Sequence, residues 1–162
     1  MSWLRRLLNA RSRQEMAGLV LADPRWEVVG LTSPSRLFQA LPQLIPADSL
    51  LFLEGGEHPP ELQTFLEGQN VDVAPRPALG TLWPATPYFS IRGRPEVLHE
   101  LASLVAPLPY PQVCHHLHVF LADRVLLSGH DAFSNPFYVS GDVPEARLKE
   151  FCATAGCAYQ PA

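Results

Sequence analysis

Four times along the chain a short apolar run leads into a small polar turn, then a proline, then a helical stripe of apolar positions. The four stretches are WEVVGLTSPSRLFQAL from Trp26, LLFLEGGEHPPELQTFL from Leu51, YFSIRGRPEVLHELASLV from Tyr88 and FYVSGDVPEARLKEFCA from Phe137. β-branched and aromatic residues favour an extended run. Glycine and small polar residues permit the turn that follows. Proline in the first helical turn costs nothing, because its missing N–H would have no helical partner. Ser33 and Asp142 stand where helix N-caps belong, and Asp142 with Glu145 has capping-box spacing. Val97, Leu98, Leu101, Leu104 and Val105 share one helical face. So do Leu148, Phe151, Cys152 and Ala155, with Gly156 placed to stop the helix.

Units of this kind predict an α/β fold, with α+β as the alternative. Their spacing is irregular and they share no sequence, so they do not make a solenoid. The expectation is a single layered domain over 1–162 with a mixed β-sheet. Residues 1–74 read as a parallel βαβαβ half, with Val71-Asp72-Val73 as its third strand and a helix over about Ser2 to Leu21 ahead of it. Residues 75–87 read as a connection. In residues 88–162, QVCHHLHVFLADRVLLSG predicts two strands around a tight turn at Ala122-Asp123. That half becomes βαββ(β)α and resembles a ferredoxin-like half as a pattern of elements.

Composition narrows the class. A chain of 162 residues buries roughly 70% of its unfolded surface, enough for a substantial core. With 47% apolar and 17% charged residues it is globular rather than disordered. Seventeen prolines are about twice the usual share of ~5%, and they punctuate short elements rather than form a tail. The net charge is −4, although residues 1–25 hold five arginines against Glu15 and Asp23. The acidic remainder argues against nucleic acid as a partner. Lys149 is the single lysine, and the abundance of Ala, Pro and Leu suggests a GC-rich bacterial genome. Cys114, Cys152 and Cys157 form no CxxC pair, which reads as reduced thiols in a cytoplasm. Arginines interrupt the first 16 residues, and no apolar run reaches 18. A signal peptide and a membrane span are therefore not expected. The basic N-terminal stretch is expected to pack Leu4, Leu8, Met16, Leu19 and Val20 on the domain.

Candidate chemistry gathers near Cys114-His115-His116-Leu117-His118 and Gly129-His130-Asp131. A hairpin turning at Ala122-Asp123 sets His116 opposite Gly129 and His115 opposite His130. Strand alternation then puts His116 and His118 on one face, and His115 with His130 on the other. A zinc or another divalent transition metal needs three or four converging ligands. His116, His118 and Asp131 are the candidate set, with Asp131 an insecure third arm. Ser128-Gly129-His130-Asp131 holds the letters of a hydrolase triad, but triad members converge from separate elements. Glu54-Gly55-Gly56-Glu57-His58 lacks the spacing and the lysine of a phosphate-binding loop.

The loop GHDAFSNP, 129–136, mixes turn formers with an aromatic residue, as binding loops on rigid scaffolds do. Its candidate binding residues are His130, Asp131, Phe133 and Asn135. The functional expectation is a non-enzymatic protein-binding or regulatory module using this loop, without a cofactor. Its partner would be another protein or a second copy, rather than a small molecule. A metal-dependent hydrolase on the His-rich hairpin is the alternative.

Overall fold

The computed structural model describes residues 21–73 and 87–162. The helix expected over 2–21 lies outside these residues except for Leu21, which bridges to Val125. The expected connection 75–87 lies outside them except for Pro87.

The chain order is β1 (Trp26–Val29), α1 (Pro34–Leu44), β2 (Leu50–Glu54), α2 (Pro60–Gln69), β3 (Tyr88–Arg92) and α3 (Pro95–Val105). A 3-10 turn (Tyr110–Gln112) follows, then β4 (His116–Leu121), β5 (Arg124–Gly129), β6 (Phe137–Val139), α4 (Glu145–Ala155) and β7 (Ala158–Pro161). Three helices begin on the prolines the sequence pattern singled out. Ser33 caps α1, its Oγ accepting from the Arg36 N–H at 3.4 Å. Asp142 does not cap α4: the residue before that helix is Pro144, which makes no side-chain cap bond.

The seven strands form one sheet in the order β3-β2-β4-β5-β6-β1-β7. Every pairing between them is antiparallel. The parallel βαβαβ half is therefore not formed, nor is the ferredoxin-like arrangement. Val71–Val73 is not a strand; Val71 donates its N–H to Ser90 O on β3 at 2.8 Å.

The reason lies in which strands pair. β1 and β2 run in the same direction, as a helical crossover requires. β4, β5 and β6 stand between them. Likewise α3 links β3 to β4, which share a direction with β2 inserted between. α4 links β6 to β7 with β1 inserted between. The crossovers read from the sequence exist, but strands from elsewhere fill each gap, so that every neighbouring pair runs antiparallel. β2 and β3 are true neighbours. Their antiparallel register pairs Tyr88 with Glu54.

Alternation along the strands sorts the two faces. Leu51, Leu53, Phe89, Ile91, Leu117, Val119, Leu127, Phe137 and Val139 join the main core with the helices. α1 packs on both α3 and α4, and α2 packs on α3 and β3. The alternate positions, including Phe52, Glu54, His116, His118, Phe120 and Ser128, lie on the opposite face. A second, smaller apolar cluster of Phe52, Phe120, Val125 and Leu21 sits there. Among the described residues no helix is long and apolar enough to cross a membrane.

Candidate functional site

The hairpin turns where the sequence pattern places it. Leu121 pairs with Arg124 across Ala122 and Asp123, and Ala122 takes a left-handed φ of +55°. The register then shifts. Phe120 pairs with Val125 but Val119 pairs with Leu127, which leaves Leu126 as an extra residue in a β-bulge. Leu126 and Leu127 both enter the main core as a result. Every partner beyond the bulge moves by one. His118 pairs with Ser128 and Leu117 with Gly129, correcting the expectation that Gly129 faces His116. His130 thereby comes to the face of His116 and His118, and not to that of His115.

Three imidazoles now meet on the face opposite the helices. The His130 ring lies 4.9 Å from that of His118 and 5.5 Å from that of His116. His118 is fully buried, with Phe52 stacked beside it at 6.3 Å. Its Nδ1 is hydrogen-bonded to Ser128 Oγ at 3.0 Å, and its Nε2 has no hydrogen-bond partner among the described residues. Burial pushes the His118 pKa down to about 3, helped by the neighbouring His130 and His116. His130 is also lowered, first by burial and then by His116, against the opposite pull of Asp131 and Glu54. The buried Glu54 is the cross-strand partner of His116.

The loop beyond Gly129 is tightly built. Gly129 is required by contact: a Cβ there would come within 2.4 Å of the Phe137 ring. Asp131 and Phe133 both adopt left-handed φ values, +47° and +69°. Asp tolerates that region; for a bulky Phe it is a strained conformation that the surroundings must enforce. Phe133 is wedged between Phe137, at 5.3 Å, and Tyr110, at 6.3 Å. The Asp131 N–H donates to His116 Nδ1 at 3.1 Å. Asp131 O accepts from the N–H groups of Ser134 and Asn135, and Asn135 Nδ2 donates to Asp131 Oδ2 at 3.4 Å. Ala132 N–H donates to His115 O, and His115 N–H to Glu54 O, both at 2.8 Å. The loop is thus tied to the ends of β2 and β4.

His115 itself nests on the turn after β2. Gly55, at φ +69°, permits this, since a Cβ would sit 2.7 Å from His115 Nδ1. Between the loop and the 3-10 turn opens a cleft of about 340 Å³ lined by Tyr110, His115, Asp131, Ala132, Ser134 and Asn135. Ser134 Oγ donates to Tyr110 Oη at 3.0 Å, closing one side. The cleft exposes more apolar than polar surface, with polar groups of Asp131, Ser134 and Asn135 among its lining residues, and Tyr110 is 41% exposed.

The predicted residues therefore divide. Asp131 and Asn135 line the cleft. His130 lies on the sheet face beside His116 and His118, and Phe133 is a half-buried wedge that shapes the loop. Sequence reasoning missed Tyr110, His115 and Ser134 as lining residues. The run PLPYPQ around Tyr110 was the available signal, a proline-fixed aromatic ahead of the histidines. For the suggested metal set, the Asp131 carboxylate turns to Asn135, while His116 Nδ1 accepts the Asp131 N–H. Among the described residues no three His, Cys, Asp or Glu side chains are arranged to hold a metal ion. The His118–Ser128 pair also differs from a hydrolase arrangement, in which the serine faces the far nitrogen and an acid the near one. No protein family, curated protein or solved structure matches the chain.

Proposed function

We propose that this chain is a non-enzymatic protein-binding module that takes its partner in the cleft between the 129–136 loop and the Tyr110–Gln112 turn. One observation carries the reading. A loop held in a strained backbone by an aromatic wedge places Asp131, Ser134 and Asn135 in the lining of an open cleft that an exposed tyrosine also lines. Strain of 1–3 kcal/mol per residue persists only where the surroundings enforce it, and such residues cluster at ligand clamps. A loop fixed in advance also loses little conformational entropy on binding.

The lining chooses the partner's chemistry. A carboxylate, an amide, two hydroxyls and an imidazole suit a protein segment that presents a basic or amide side chain beside an apolar one. Asp131 would accept from the former, and the ring of Tyr110 would cover the latter. The net charge of −4 favours a basic partner. Composition supports a bacterial cytoplasm as the setting.

The test is capture by the tagged full-length protein, comparing wild type with a Tyr110→Ala, Asp131→Ala double variant of unchanged melting behaviour. The proposal expects a specific partner, identified by mass spectrometry and then purified, to bind wild type and to lose at least tenfold in affinity for the variant. Equal affinity for the two proteins would remove the cleft as the recognition site.

A further inference from the structure

Away from the cleft, helix α4 ends in a way that brings two cysteines together. Gly156 takes a left-handed φ of +72° immediately after Ala155. Its N–H donates to Cys152 O at 2.9 Å, and the Cys157 N–H donates to the same oxygen at 3.1 Å. A helix closed by such a six-to-one bond sets the side chain of its fourth-last residue against that of the second residue beyond its end. In most proteins those two positions hold an apolar contact; here they are Cys152 and Cys157.

Both thiols are free. Their surroundings differ. Cys152 is 5% exposed and belongs to the core, whereas Cys157 is half-buried at the surface. Each thiol acts on the other: Cys157 raises the pKa of Cys152, and Cys152 lowers that of Cys157. The third cysteine, Cys114, is fully buried, and burial alone pushes its thiol up to about 12.

We propose that Cys152 and Cys157 are a thiol–disulfide exchange site, with Cys157 as the attacking thiol, Cys152 as the resolving thiol and a small-molecule disulfide as the oxidant. The Cys157 thiolate attacks one sulfur of the small disulfide. A mixed disulfide forms on Cys157, and one small thiolate leaves and takes up a proton. Cys152 then loses its proton to solvent and attacks Cys157 Sγ. The Cys152–Cys157 bond forms, and the second small thiolate leaves and is protonated. The protein is oxidised by two electrons and the small disulfide is reduced to two thiols. The new bond clamps the end of α4 to the start of β7, the strand that covers the outer edge of β1.

The experiment exposes reduced full-length protein to a series of glutathione redox buffers, followed by acid quenching, alkylation and intact-mass analysis with peptide mapping. The expected product is monomeric, lighter by two hydrogens and linked Cys152 to Cys157, with Cys114 as the one alkylated thiol. Cys152→Ser should stop at a glutathione adduct on Cys157, and Cys157→Ser should give neither adduct nor bridge. A wild-type protein that keeps three alkylatable thiols in oxidising buffer, or that reacts first at Cys114, would overturn the proposal. The wild-type measurement decides the matter even if a serine variant fails to fold.

Discussion

Acidification should weaken this fold through one histidine, and the effect can be isolated. His118 sits fully buried between Phe52 and Ser128, its pKa down at about 3 against 6.5 for an unperturbed imidazole. Between those values the unfolded chain binds a proton there that the folded chain does not. Stability must therefore fall as pH drops, beginning near 6.5 and ending near 3. At pH 5 the unfolded imidazole is almost wholly protonated. Its linkage contribution relative to pH 7 is about 2 kcal/mol. That magnitude barely depends on how far below 4 the folded value lies, because only the unfolded group titrates in this window.

The comparison protein is His118→Asn, whose side-chain amide stands in for Nδ1 toward Ser128 Oγ. Urea unfolding of both proteins at pH 7, 6 and 5 gives two stability profiles. The variant is expected to start lower at pH 7, yet to lose about 2 kcal/mol less on going to pH 5. Other acid-sensitive groups, including the more exposed His130, cancel in the difference. Parallel profiles would refute the reasoning, since they would mean that His118 is protonated as easily folded as unfolded.

Further outcomes follow from single contacts. Gly129→Ala should cost about 1–3 kcal/mol in chemical denaturation, because the new methyl group meets the buried Phe137 ring. Ala122→Gly should raise stability by about 1 kcal/mol, since it relieves a left-handed alanine at the hairpin turn. Phe151→Ala should lose about 3–5 kcal/mol, because its ring is fully buried on the core face of α4. Asp131→Asn keeps a residue tolerant of φ +47°, so it should melt within about 1 kcal/mol of wild type while losing partner affinity.

The local grammar of the sequence was legible. Pro34, Pro60 and Pro95 each open a helix, and of the stripe Val97-Leu98-Leu101-Leu104-Val105 all are buried but Leu104, which packs half-buried against the core. The two-residue turn at Ala122-Asp123 was legible too. The pairing of distant strands was not. Nothing in the run from Trp26 to Val29 says that it will insert between β6 and β7, because that choice is made by the whole sheet. The strand Ala158–Pro161 went unread, being short and closed by a proline. The bulge at Leu126 had the largest consequence for the site. One extra leucine, buried with its neighbour, carried His130 across the sheet. Loop 129–136 was legible as a surface, but its wall across the cleft, Tyr110 and His115, arrives from other segments through backbone bonds that no local pattern announces.

The recognition role proposed for the cleft is tested most directly by photo-crosslinking in cells that make the protein. A benzophenone amino acid is placed at Tyr110 in one version and, in another, at Tyr138, an exposed tyrosine of the sheet. The account predicts a discrete crosslinked partner from position 110 that disappears when Asp131→Ala is added, and none from position 138. The same partner captured from position 138, or undiminished capture at position 110 without the Asp131 carboxylate, would contradict it.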